Sequence, residues 1–294
     1  MASAQSIPFA LSALEKPQVV SCLHLARLPR LRDTLAVELR IEPLTAALGA
    51  SVHGLDIQAI TAPVAERLRE AFLEYQVLFF PALAPSPDEH KQIASVFGTP
   101  EIHGAADEDQ REAYYADAER LISIIDSKRN PANYWHTDAT FRDQPPAASC
   151  LCVRVIPKRG GDTMWLDTYR AYEELPPPLR TLAGQLWAVH GHRGLTDQNV
   201  HPVIRTHPDT GRKALWINRG WTTGLQDVDP RQAQPLLAFF FDVMEQPEYT
   251  CRWSWSLGDV AVWDNRCTMH YALADFGEEY REIHRVILAG DRPS

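Results

Sequence analysis

From Leu35 to Ile60 apolar and polar residues alternate, and Pro43 and Gly49 interrupt the run, a pattern that predicts a β-hairpin. The period then changes. "APVAERLREAFLEY" carries apolar residues at helical spacing and leads into the β-like "QVLFF", which Pro81 stops. Ser86-Pro87-Asp88-Glu89 supplies a capping serine, a proline in the first turn and an acceptor three residues after the cap, so a helix should run to about Val96. "ERLISIIDS" reads as a buried strand, "PAASCLCVRVIP" alternates, and "GGDTMWLD" is a turn feeding a strand. "YRAYEELPPPLRTLAGQL" predicts two short helices split by prolines, and Asp229-Pro230 opens a helix carrying "LLAFFFDVM". The last quarter is strand-rich, with a turn at Leu257-Gly258-Asp259. Strands at both ends with helices between them predict a mainly β domain with flanking helices, a sandwich or jelly roll, because alternating strands need two packed sheets to bury their faces.

Composition narrows the function. The chain has no apolar run of about 18 residues, which argues against a membrane span. Its net charge of −9 and the absence of a Lys/Arg stripe disfavour nucleic acid and anionic membranes as partners. Cys22, Cys150, Cys152, Cys251 and Cys267 are scattered without a CxxC pair, as expected of reduced thiols in the cytoplasm. Residues 1–34 contain "LHLARLPRLR" and few acids, but no apolar core followed by a cleavage site. They read as a loosely ordered N-terminal extension ahead of a single domain at 35–294.

The chemistry concentrates in "NYWHTDATF". With 11 histidines and 38 acids, a His-x-Asp/Glu triplet is expected about once by chance. A second one, His207-Pro208-Asp209, sits among turn residues in "THPDTGRKALW" and reads as a hairpin turn. On an extended segment His136 and Asp138 project to one side, where an imidazole and a carboxylate can meet a cation. Alone, the triplet fits equally a core histidine beside an aspartate bonded to a loop amide. A metal reading needs a third ligand, and two histidines with one carboxylate would leave positions open, as in non-haem Fe(II) oxygenases. His270 follows an apolar strand and a polar turn in "VAVWDNRCTMHYALADF". Arg281 and Arg285 then lie four residues apart on a strand, on one side, beside apolar Ile283, Val286 and Leu288. An inward arginine needs an anion, and its planar fork matches a carboxylate.

"WHTDATF", "GGDTMW", "HPVIRTHPDTG", "WDNRCTMHYA" and "REIHRVILAGD", in this order from about Leu35 to Pro293, together resemble the taurine dioxygenase (TauD/TfdA) family of Fe(II)- and 2-oxoglutarate-dependent oxygenases. The resemblance implies a double-stranded β-helix with His136, Asp138 and His270 as the iron ligands. It also implies Thr163 and Arg281 at the distal carboxylate of 2-oxoglutarate, and Arg285 in the substrate pocket. The activity implied is O2-dependent hydroxylation of an unactivated C–H bond, with 2-oxoglutarate converted to succinate and CO2. A redox-neutral metal hydrolase would not need the Thr163–Arg281 clamp, and an intact triad argues against a silent metabolite-binding protein.

By the same resemblance His103, after "FG", and Asn133 fall near substrate-binding positions, favouring a small sulfonate, sulfate or carboxylate. The chain departs from the taurine-using pattern at Ala106, where a tyrosine is expected, and at Ala132, where an asparagine is expected. The segment 194–201 is also short where the family carries a lid. A wider mouth would admit a bulkier anion: an alkyl sulfate, an aryloxyalkanoate or an acidic metabolite of a tailoring pathway. Trp165, Trp253 and Trp255 read as core, and a homo-oligomer is the default the family implies.

Overall fold

The computed structural model describes residues 39–102, 114–127, 132–191 and 198–294. The expected 1–34 extension and His103 lie outside these residues. The hairpin forms as β1 (Arg40–Pro43) and β2 (Ala50–His53), which pair antiparallel. α1 (Ala62–Tyr75) buries Leu68, Ala71 and Phe72, the apolar stripe of its sequence, and ends where Gln76 takes φ 65° and turns the chain into β3 (Val77–Phe80). α2 (Pro87–Ala94) begins with the expected reciprocal cap between Ser86 and Glu89.

β4 (Pro100–Glu101), β5 (Ile122–Asp126) and β6 (Ala148–Val155) follow, then β7 (Thr163–Asp167) and the proline-separated helices α3 (Thr168–Glu173) and α4 (Pro177–Ala183). Next come β8 (Trp187–Gly191), β9 (Gln198–Pro202), β10 (Ile204–Thr206), β11 (Lys213–Leu215) and β12 (Thr222–Leu225). α5 (Pro230–Met244) starts at Asp229, whose side chain accepts from Arg231 N. β13 (Thr250–Trp253), β14 (Val260–Asp264), β15 (Thr268–Ala272) and β16 (Glu282–Leu288) complete the chain.

The major sheet runs β1-β2-β3-β14-β6-β16, with β4 and β5 both pairing with β16, and the minor sheet runs β13-β7-β15. This is the expected jelly roll. Alternation decides which residues go where. Val77, Phe79, Leu151, Val153, Ala261, Trp263 and Ile283 of the major sheet meet Trp165 and Cys251 of the minor sheet in an inner core. Leu78, Phe80, Cys150, Cys152, Val262 and Val286 face the other way, under α1 and α2. Leu166 and Met269 on the outer side of the minor sheet are covered by α5 through Leu237, Phe240 and Phe241. Trp165 and Trp255 are buried as expected, and Trp253 stacks on Phe79 at 4.4 Å.

Two sequence expectations change. The segment 194–201 is not wholly an open loop: Gln198 to His201 belong to β9, which pairs with β8 in full register, while 194–197 lie outside the described residues. The pairing was hidden because β9 is only QNVHP, too short and too polar to show a period. His207-Pro208-Asp209 does turn between β10 and β11, as read from the sequence.

Candidate active site

His136 sits on a one-residue bridge to His270 of β15, with His136 N donating to His270 O at 3.0 Å and His270 N to His136 O at 2.7 Å. The bridge brings the two imidazole rings to 4.1 Å between centroids. Asp138, two residues on and on the same side, places Oδ1 3.8 Å from His270 Nε2, and one ligand atom from each residue falls within 4.8 Å of the others. His136 Nδ1 bonds to Tyr134 O at 2.8 Å; a carbonyl only accepts, so the proton is on Nδ1 and the Nε2 lone pair is free.

Burial pushes both imidazoles below their ordinary range, further for His270, so both are neutral donors. Burial alone would raise the Asp138 carboxyl, but Arg285, His270, His136 and a bond from Ser149 outweigh it and hold it well below the usual carboxylate range. Two neutral imidazoles facing one buried carboxylate suit a divalent cation and leave further positions open. Ser149, on the inner face of β6, donates to Asp138 Oδ2 at 2.6 Å and accepts from Asn265 Nδ2 at 3.2 Å. That relay occupies Oδ2 and presents Oδ1 toward the histidines.

A second cluster, His207, Asp264 and Cys267, also brings metal-ligating types together. It is already satisfied: Asp264 receives Arg266 on both oxygens and His207 Nε2 at 3.0 Å, while His207 Nδ1 accepts from Asp209 N and Thr210 N. No lone pair is left for an ion.

Beside the triad lies a cavity of about 60 Å³ with Thr163, Arg281, His270 and Arg285 among its walls and apolar Leu151 and Ile283 between them. Arg281 is 8% exposed. Burial pulls its guanidinium down to about 10, opposed only by the charge of Asp162. Its Nη2 donates to Thr163 Oγ1 at 3.3 Å, Trp255 Nε1 donates to the same oxygen at 3.0 Å, and Arg281 Nε has no partner among the described residues. Thr163 is delivered by a glycine turn: Gly160 has φ 75°, and a Cβ there would stand 2.5 Å from Asp275 Oδ1. A buried cation with an unused N–H beside a hydroxyl is a receptor for a carboxylate. Arg285 faces the same side as Arg281, as expected, and its Nη1 donates to Asp138 Oδ1 at 3.1 Å.

The family model for the taurine catabolism dioxygenase TauD, TfdA family matches residues 40–287. The chain belongs to the TauD/TfdA family. It is 34% identical over 284 residues to an alpha-ketoglutarate-dependent sulfate ester dioxygenase of Pseudomonas putida, covering 88% of this chain and 92% of that one. With an alkylsulfatase of Acinetobacter baylyi it shares 35% over 280 residues, 86% of each chain. A taurine dioxygenase from Burkholderia xenovorans superposes with a TM-score of 0.78 at 32% identity, covering 87% of this chain and 92% of the neighbour. This TauD/TfdA protein is therefore a 2-oxoglutarate-dependent non-haem iron dioxygenase that works on small anionic substrates, and neither a redox-neutral hydrolase nor a silent binder. Among the described residues no helix is long and apolar enough to cross a membrane.

A second cavity, of about 210 Å³, opens from His136, Asp138 and Arg285 and is walled by Tyr114, Ile124, Tyr134, Phe141 and Trp221. Asn133 is not in it. Ala132, Tyr134, His136 and Asp138 project to the site, so Asn133 and Trp135 project away, into a separate groove with Met164 and Tyr271. The expectation that Asn133 binds substrate is corrected on that ground. The same alternation would have found Tyr134 from the sequence. Phe141 and Trp221, packed edge to face at 4.9 Å, carried no such signal, because they come from different loops. Gly220, beside Trp221, permits this wall: a Cβ there would meet Tyr134 Cε2 at 2.7 Å and His136 Cβ at 2.9 Å.

Proposed function

We propose that this dioxygenase hydroxylates the carbon next to the anionic group of a small organic sulfate ester or sulfonate in the cytoplasm. His136, Asp138 and His270 would hold Fe(II), which when bound supplies dioxygen activation coupled to conversion of 2-oxoglutarate to succinate and CO2. The observation that carries the substrate reading is Arg285, which stands where the two cavities meet, with apolar and aromatic walls beyond it. An anionic head can pair with that guanidinium while a carbon chain lies along Tyr134, Phe141 and Trp221. The relatives named for sulfate esters and alkyl sulfates support the head group.

In this reading each side chain has a separate task. Thr163 and Arg281 donate to the distal carboxylate of 2-oxoglutarate, and Leu151 and Ile283 line its methylenes. Ser149 holds one oxygen of Asp138 so that the other faces the ion. The aromatic walls exclude water from the reacting carbon and fix its position, which is where most of the protein's share of the rate arises. Cys150, Cys152, Cys251 and Cys267 are buried and unpaired, in keeping with a reducing compartment.

The test is aerobic succinate production by the Fe(II)-loaded protein with alkyl sulfates, sulfonates and aryloxyalkanoates, with inorganic sulfate as second readout. A hydroxyl placed on the carbon bearing a sulfate oxygen gives a hemiacetal-type ester that breaks to an aldehyde and sulfate. Sulfate released in proportion to succinate, and lost in His136→Ala and Asp138→Ala, is the expected result. Stimulation by aryloxyalkanoates alone would reject the sulfate and sulfonate assignment.

A further inference from the structure

We propose that Thr140 is a positioning residue that ties the turn carrying Asp138 to the aromatic wall of the substrate cavity. The inference rests on the reading of Asp138 as a metal ligand. Directly after Asp138 the chain reverses through Ala139 at φ 47°, a left-handed conformation that costs a non-glycine residue about 1 kcal/mol or more and persists only where the surroundings enforce it. Within the turn itself the bond from Arg142 N to Ala139 O, 3.0 Å, contributes.

The other restraints come from outside. His190 of β8 meets Thr140 Oγ1 through Nδ1 at 2.9 Å, and Asn218 Nδ2 donates to the same oxygen at 3.3 Å. From β9, Asn199 Nδ2 donates to Phe141 O at 2.7 Å and His201 Nε2 to Arg142 O at 2.9 Å. Thr140 and His190 are fully buried, so water does not substitute for these bonds.

Thr140 Oγ1 is where three elements converge. Asn218, one of its partners, also accepts from Trp221 N at 2.9 Å and so sets the loop whose indole packs on Phe141. Phe141 is the residue next to Thr140. One hydroxyl thus fixes both the exit of the ligand-bearing turn and the seating of two walls of the cavity. Loosening it should disturb metal binding and substrate seating together, and leave the 2-oxoglutarate clamp on β7 and β16 alone.

The near-isosteric Thr140→Val keeps the volume and removes the acceptor, and Thr140→Ser restores it. Expected for the valine variant are a Co(II) dissociation constant raised about tenfold by titration of the metal-free protein, a KM for the primary substrate raised about tenfold, and a larger share of succinate formed without substrate oxidation. The KM for 2-oxoglutarate should stay within about twofold, and serine should return all three values toward wild type. Asn199→Ala, at a half-buried position less exposed to folding failure, should shift the same three readouts in the same direction by less.

Valine and serine variants both matching wild type in Co(II) affinity and coupling would overturn the proposal. So would equal damage in both with a lowered Tm, which would mark packing rather than the hydroxyl. Failure of the underlying metal reading looks different: His136→Ala would then bind Co(II) as tightly as wild type, and both conclusions would fall.

Discussion

Arg281→Met should make the protein more stable and a poorer enzyme. In the folded chain burial lowers the Arg281 guanidinium from 12.5 to about 10. At pH 7 the group is charged in both folded and unfolded chains, so the folded state carries the whole penalty, about 3 kcal/mol at about 1.4 kcal/mol per pH unit. Methionine fills much of the same space with no charge. Against that gain stands the lost bond to Thr163, about 1 kcal/mol, leaving a net gain of about 2 kcal/mol and a Tm higher by about 5 °C for a domain of this size.

Binding should move the other way. A buried charge-assisted pair to a carboxylate contributes about 2–5 kcal/mol when one partner is removed, so the KM for 2-oxoglutarate should rise at least about thirtyfold. Thermal melting with and without 2-oxoglutarate, in the presence of Mn(II), reads both effects. At a hundred times its dissociation constant the ligand should stabilise wild type by about 2.7 kcal/mol and the variant hardly at all. A variant that melts below wild type without ligand, yet keeps its KM for 2-oxoglutarate within about threefold, would refute both the stored penalty and the clamp.

Gly220→Ala should push Tyr134 off its seat, since the new Cβ would stand 2.7 Å from its ring; a loss of about 1–3 kcal/mol in stability and about tenfold in kcat/KM for the primary substrate is expected, and unchanged kcat/KM would remove Tyr134 from the substrate wall. His90 and His190 are each pulled from 6.5 down to about 3, His90 and His190 alike first by burial. Their folded pKa values lie below the unfolded one, so their neutral forms cost nothing above about pH 6.5, and stability is lost progressively as pH falls toward 3. At pH 5 each should cost about 2 kcal/mol relative to pH 7. Urea unfolding at the two pH values checks this; His90→Gln should remove about half of the difference, and equal stability at both would contradict it. Ser86→Ala removes the cap whose Oγ accepts from Glu89 N at 3.3 Å, and should lower stability by about 1 kcal/mol with activity intact, read by the same unfolding curves.

What could be read before the fold was known follows from how each signal is written. The iron-ligand candidates are legible because strand geometry converts spacing into direction: a residue and its second neighbour share a face, so His136 with Asp138, and Arg281 with Arg285, declare themselves in one dimension. Applied one residue earlier, that rule excludes Asn133 and selects Tyr134, so the error there came from borrowing a family position across a one-residue offset rather than from the physics. The cavity walls are a different case. Phe141 and Trp221 lie far apart in sequence, on segments without a period, and meet only because β8, β9 and the Asn218 loop dock on the turn after Asp138. The core histidines are silent for the same reason: His190 gains its role from Thr140, fifty residues away. Reaction class sits on regular strands and is therefore written locally, whereas substrate choice sits where irregular segments meet and is written in their contacts. A relative that keeps His136, Asp138, His270, Thr163 and Arg281 while exchanging Tyr134, Phe141, Gly220 and Trp221 should thus retain succinate formation and change its preferred anion, and exchanging those four wall residues between two such enzymes is the direct way to see it.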